Sequence, residues 1–226
     1  LHDFGASSNA TIEISKYCQG TNRRLFFDLP GHGETGVTYL EDYLPNTMAK
    51  MLADGLKQLD LAEIHLVSMG MSSSIAVELS LIDSLQVKQL SLIDPWCLNA
   101  TEIDSMCDHY APDLNPSEYG EHLMRAWYFA RDSELYFPWY DTKNTNALKR
   151  EPEIDPQATH RRAVDALKAG EELKRLARDL IGYDVRANMQ HIPLNTKVYA
   201  WTGNGRENFA ERIHGAISGS KLYYLP

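Results

Sequence analysis

The stretch Ile64-His65-Leu66-Val67-Ser68-Met69-Gly70-Met71-Ser72-Ser73-Ser74-Ile75-Ala76 changes character at its middle. Ile64 to Val67 is an apolar run of strand length. After it come Gly70 and three consecutive serines, and then Ile75, Ala76, Leu79 and Ile82 recur on one face of a helix. A strand that passes through small residues directly into a helix is the first half of a parallel strand–helix–strand unit. Its second half is the apolar run Leu90-Ser91-Leu92-Ile93, stopped by Pro95. Upstream, Met48, Met51, Leu52, Leu56 and Leu59 mark an amphipathic helix. Before that, Arg24-Leu25-Phe26-Phe27 reads as another buried strand, ending at the turn residues of Leu29-Pro30-Gly31-His32-Gly33. This alternation predicts an α/β protein with a mostly parallel sheet and helices on both faces.

The rhythm changes after Trp96. From Cys97 to about residue 190 there is no strand pattern. Residues 117–130 read as a helix, and Ala158 to Ile181 reads as one long helix with Ala163, Leu167, Leu173, Leu176 and Leu180 at helical spacing. Pro138, Pro152 and Pro156 mark loops between the two. Strand–helix alternation resumes with Lys197 to Trp201, Glu207 to Ile217 and Leu222 to Leu225. The expected organisation is a core of residues 1–96 and 192–226 carrying a helical insertion of residues 97–191.

Composition narrows the function classes. The 226 residues hold 43% hydrophobic and 23% charged side chains, which is ordinary for a folded domain. The net charge of −9 argues against nucleic acid and anionic membrane partners, because phosphate binding needs a basic face. No apolar stretch is long enough to span a bilayer. The three cysteines, Cys18, Cys97 and Cys107, are an odd number without a C-x-x-C pair, which disfavours disulfides and zinc and points to a cytoplasmic setting. The histidines His109, His122, His160 and His191 lack metal-ligand spacing, so no metal and no cofactor is expected. A homodimer stays open.

The layout resembles the α/β-hydrolase fold with a helical cap inserted after its sixth strand. His2-Asp3-Phe4-Gly5 is similar to the family's H-G-x-G turn, and Asp28-Leu29-Pro30-Gly31-His32-Gly33-Glu34-Thr35 follows its D-x-P-G-H-G-x-S segment. Against the family pattern the core looks truncated at both ends, beginning at Leu1 as the third strand finishes and stopping at Pro226 before the expected histidine. The family's nucleophile occupies a strained strand-to-helix turn, G-x-S-x-G. Laying that pattern on Leu66 to Ala76 without a gap puts Gly70 at the serine position, with Ser68 and Ser72 at the flanking glycines.

Several readings of the site follow. A register shift would make Ser72 the nucleophile, although Ile75 would then crowd the turn; otherwise Ser72, Ser73 and Ser74 cap the helix. The resemblance implies an acid after the sixth strand at Asp94, which is also readable as a plain turn residue before Pro95. Asn204 falls where the family often has an acid, but carries no charge. The resemblance also implies an oxyanion hole from backbone N–H groups of Met71 and of the turn after His2, at Asp3 or Phe4. Asp3 replaces a glycine there and brings a negative charge.

Aromatic residues crowd the insertion and its border, with Trp96, Trp127 and Trp139 as candidate ligand contacts; large side chains packing a small helical layer is the alternative. The leading expectation is a hydrolase-like protein that binds a small apolar or aromatic molecule between core and cap, with Gly70 at the nucleophile position. The alternatives are an active hydrolase of a small ester, thioester or amide using Ser72, a nucleophile-free enzyme such as a lyase, and a non-catalytic binding or partner protein. A nicotinamide-binding Rossmann domain fits less well, since Gly5-Ala6-Ser7-Ser8 does not supply its glycine fingerprint.

Overall fold

The computed structural model describes residues 1–16, 20, 22–35, 40–152, 154–192 and 195–226. Cys18 lies outside the described residues; Cys97 and Cys107 are free thiols. In chain order the elements are α1 (Ser8–Ser15), α2 (Pro45–Gln58), β1 (Glu63–Met69), α3 (Ser73–Ser80), β2 (Gln86–Ile93), α4 (Ala100–Met106), α5 (Glu121–Asp132), α6 (Pro156–Ala169), α7 (Glu172–Ile181), α8 (Arg186–Met189), β3 (Asn195–Trp201), α9 (Glu207–Ala216) and β4 (Lys221–Leu225).

Among the described residues four strands form one sheet in the order β1-β2-β3-β4, and every neighbouring pair is parallel. Sequence order equals spatial order because each connection carries a helix that returns the chain to the same end of the next strand. Leu66 pairs with Leu90, Leu90 with Thr196, and Val198 with Leu222. Helix α3 lies against β1 and β2, and α9 against β3 and β4. The side chains beneath them, including Leu66, Leu90, Leu92, Val198 and Ala200, are buried. Residues of opposite pleat keep solvent contact: Val67 is 42% exposed, and Tyr199 stacks on Tyr223 at 5.2 Å.

Two expectations are corrected. Among the described residues, 24–27 are not part of a strand, and Leu25 and Phe26 are exposed. An apolar run alone does not make a strand; it needs a neighbour to take its backbone groups. The long helix predicted over 158–181 is two helices, α6 and α7, separated at Gly170 with φ +54°. That positive φ lies outside the right-handed helical region and reorients the chain. Helix α7 turns Leu173, Leu176, Ala177, Leu180 and Ile181 inward.

All of α4–α8 lies between β2 and β3 in the chain. Helix α7 packs on the short 3₁₀ turn Gly70–Ser72 at the end of β1, and α5 packs on α6. Helix α4 starts with a capping box in which Asn99 Oδ1 accepts from Glu102 N at 2.9 Å and Glu102 Oε2 accepts from Asn99 N at 2.7 Å. Glu102 also pairs with Arg212 of α9, tying the helical segment to the sheet layer.

Candidate functional site

The C-terminal ends of the parallel strands gather the chemistry, as they do in open α/β sheets generally. The N-terminus is drawn to this edge: Met69 N donates to Leu1 O at 3.2 Å and Leu1 N donates to Val67 O. That places His2–Gly5 beside Gly70. Asp94 directly follows β2, and Thr202–Arg206 follows β3.

Gly70 has φ +57°, the left-handed conformation that favours glycine. A Cβ added there would overlap the Cγ, Oδ1 and Oδ2 of Asp3. The carboxylate of Asp3 therefore fills the space a side chain at position 70 would need. Its Oδ1 accepts two backbone hydrogen bonds, from Phe4 N at 2.7 Å and from Met71 N at 2.8 Å. The resemblance implies an oxyanion hole from the Met71 N–H and from that of Asp3 or Phe4; here the Met71 and Phe4 N–H groups both hold the chain's own carboxylate. Burial pushes the Asp3 carboxyl up to about 6, against the pull of the Met71 and Phe4 N–H groups and the charge of Arg206. As a whole residue Asp3 is half-buried.

His2 locks the turn from below. Its Nδ1–H donates to Asp3 O at 2.8 Å, and its Nε2 accepts from Leu29 N at 2.8 Å. A backbone N–H only donates and a carbonyl only accepts, so these partners fix the neutral tautomer. Burial, then the neighbouring His32, depress its pKa to about 3. His32 lies 4.9 Å from His2 between ring centroids and donates from Nδ1 to Pro30 O at 3.1 Å. Among the described residues its buried Nε2 has no partner, and burial holds its pKa at about 4. In the same turn Asp28 takes N–H groups from Ser8 (2.6 Å) and Glu34 (2.8 Å). Burial opposes its charge, but those donors outweigh it and keep the carboxyl below the usual range.

Asp94 is buried and has φ +50°. Its Oδ2 accepts from Arg206 Nε at 2.9 Å and from Nη2, and its Oδ1 accepts from Asn204 Nδ2. Asn204 in turn accepts Arg206 N at 2.9 Å. The Arg206 guanidinium lies over the Phe137 ring at 5.2 Å. Asp94 thus faces a fixed cation. Sequence reasoning missed Arg206, because one arginine in a glycine-rich loop has no periodic signal.

Ser72 is buried, and its hydroxyl donates to Met69 O at 2.8 Å and bonds Ser68 Oγ at 2.7 Å. Ser73 Oγ accepts Trp96 N at 3.2 Å, and Ser74 Oγ donates to Met71 O at 3.0 Å. These serines stitch the elbow to its surroundings.

Above Asp3 the aromatic residues pack on one another. Phe4 meets Tyr110 at 6.0 Å and Phe129 at 6.3 Å, Trp96 meets Tyr110 at 5.0 Å, and Trp139 meets Phe129 at 5.2 Å. Trp139 Nε1 donates to Tyr110 O at 2.7 Å, while Trp127 is half-buried against the core. Burial pushes the Tyr110 hydroxyl well above its ordinary range. Next to Met71 and Trp96 a cavity of about 20 Å³, bounded by Leu180, Ile181 and Val185, has room for about one water molecule.

No known sequence family and no curated protein matches this chain. Solved structures do. The chain superposes on an esterase from Exiguobacterium antarcticum with TM-score 0.73 at 20% identity, covering 100% of this chain and 81% of that one. It superposes on MenH from S. aureus with TM-score 0.71 at 18% identity, covering 100% and 82%. A third is an alpha/beta hydrolase enzyme from a Medee basin deep-sea metagenome library, with TM-score 0.71 at 11% identity, covering 100% and 79%. The chain has the α/β-hydrolase fold, and at these identities the likeness concerns the fold alone. Among the described residues no helix is long and apolar enough to cross a membrane.

Proposed function

We propose that this protein is a hydrolase-like binder of a small apolar or aromatic molecule, held between the strand ends and a cap made of residues 97–191, and that it does so without a serine nucleophile. One observation carries the reading: the Asp3 carboxylate stands where a side chain at position 70 would lie and takes the N–H groups of Phe4 and Met71. An incoming carbonyl oxygen would find those donors already used. Nucleophilic attack by Ser72 is disfavoured by its buried, doubly bonded hydroxyl. The aromatic layer supports an apolar ligand. Admitting one requires rings now in edge-to-face contact to part, and such contacts contribute only about 1 kcal/mol each.

The test pairs a covalent probe with a titration. A fluorophosphonate is expected to leave Ser72 unlabelled by peptide mass spectrometry, and stoichiometric labelling there would instead establish the serine-hydrolase alternative. Tryptophan fluorescence titrated with 2-naphthol is expected to saturate, with affinity weakened in Trp127→Ala or Trp139→Ala. A linear, non-saturating response in the wild type would remove the binding site.

A further inference from the structure

We propose that Asp3 is the reacting group of this site, a carboxylate base that takes a proton from carbon or oxygen of the small aromatic molecule bound beside it. The inference rests on the binding reading above. It stands first on how the two carboxylate oxygens differ. Oδ1 is pinned by Phe4 N and Met71 N, while no donor among the described residues bonds Oδ2. One oxygen is thus anchored by rigid backbone and the other keeps its lone pairs for an incoming proton. Taken as a whole residue, Asp3 is half-buried rather than sealed in the core.

The surroundings suit proton transfer. The rings of Phe4, Tyr110 and Phe129 form an apolar wall in mutual contact. A carboxylate whose hydration is reduced by burial in such a setting is a stronger base than one in bulk solvent. The charged and titratable groups facing it are Arg206, Asp94 and the Tyr110 hydroxyl. Arg206 is held in place by Asp94 and supplies a fixed positive field towards negative charge left on the substrate. The raised pKa of about 6 leaves Asp3 ionised at neutral pH yet close enough to accept a proton efficiently.

A generic carbon acid tests this without knowledge of the natural substrate. In 5-nitrobenzisoxazole, Oδ2 would form an O–H bond as the ring C–H bond breaks. The C–H pair becomes the new C–N π bond of a nitrile, and the N–O bond breaks with its pair going to the phenolate oxygen. The coloured phenolate is the readout, and no oxidant or second reactant is involved. Binding is measured separately, by tryptophan quenching with the unreactive analogue 5-nitroindazole.

The wild type is expected to turn over with saturation and with a rate that rises through pH 6. Asp3→Asn keeps an oxygen acceptor for both N–H groups, and is expected to bind the analogue while losing at least about tenfold in rate and the pH 6 inflection. If the analogue binds but the variant matches the wild type, or the wild type shows no saturable turnover, Asp3 is not the base and the binding reading survives. Failure of the analogue to bind overturns both. Should Asp3→Asn fail to fold by circular dichroism, the wild-type profile decides: a rate flat between pH 5 and 7 overturns the inference.

Discussion

At the scale of single residues, Asp3 and Gly70 form a matched pair. Glycine at 70 leaves the room that the Asp3 carboxylate uses, and that carboxylate accepts the N–H groups of Phe4 and Met71. Gly70→Ser is therefore expected to be destabilising by about 2–4 kcal/mol, from a side chain at positive φ and from overlap with a buried carboxylate. Adding Asp3→Gly should recover much of that loss, giving a coupling energy of about 1–3 kcal/mol in a urea-denaturation double-mutant cycle. Simple additivity would mean the two residues do not compete for space. Ser72→Ala is expected to cost about 1 kcal/mol of stability through its two lost hydrogen bonds, with 2-naphthol affinity unchanged by fluorescence titration. The glycine at the elbow and the stray charge at Asp3 were readable in the sequence by laying the family motif over residues 66–76 and 2–5. That one would sit on the other was not, because contact across 67 positions depends on how Leu1 lies along β1. Arg206 was invisible for the same reason: its meaning comes from Asp94, more than a hundred residues away.

At the scale of elements, strands covered by helices were the most legible. β1, β2, β3 and β4 fall where apolar runs predicted them, although β4 has no buried residue and β1 buries only Leu66 and Ser68. The failures had opposite causes. Residues 24–27 had the side chains of a strand but join no sheet among the described residues, whereas residues 158–181 had continuous helical spacing interrupted by the conformation of Gly170. Periodicity reports which face is apolar and is blind to a break that preserves the face. Helix α4 shows what local signals do decide. Its capping box satisfies two backbone N–H groups and presents Glu102 to Arg212 of α9. Asn99→Ala is expected to lower stability by about 1 kcal/mol in chemical denaturation, and retention of full stability would show that α4 is held by its α9 contact alone.

At the scale of the whole molecule, the buried groups of the strand-end site set an acid sensitivity. His2 and His32 are held neutral in the folded protein, with pKa values of about 3 and 4 against an ordinary 6.5. As pH falls below 6.5 the unfolded chain takes up protons that the folded chain refuses, so each histidine lowers stability at a slope approaching about 1.4 kcal/mol per pH unit. The loss from His32 is complete near pH 4 and that from His2 near pH 3. Asp3 works in the other direction. Its folded pKa of about 6 lies above the ordinary 3.8, so between these values the folded chain binds the extra proton and gains stability as pH falls. From pH 6 to pH 4 two histidines therefore oppose one carboxyl. Asp3→Asn removes the opposing group, and its urea midpoint should fall more steeply with acid than that of the wild type. His32→Gln removes one of the two histidines and should flatten the fall. Comparing each variant with the wild type at pH 6.5, 5.5 and 4.5 cancels the carboxylates common to all three proteins, such as Asp28, whose lowered pKa also contributes to acid loss. Parallel curves for all three would mean that these groups titrate alike in the folded and unfolded chains, and the strand-end site would then lack the burial on which its proposed chemistry depends.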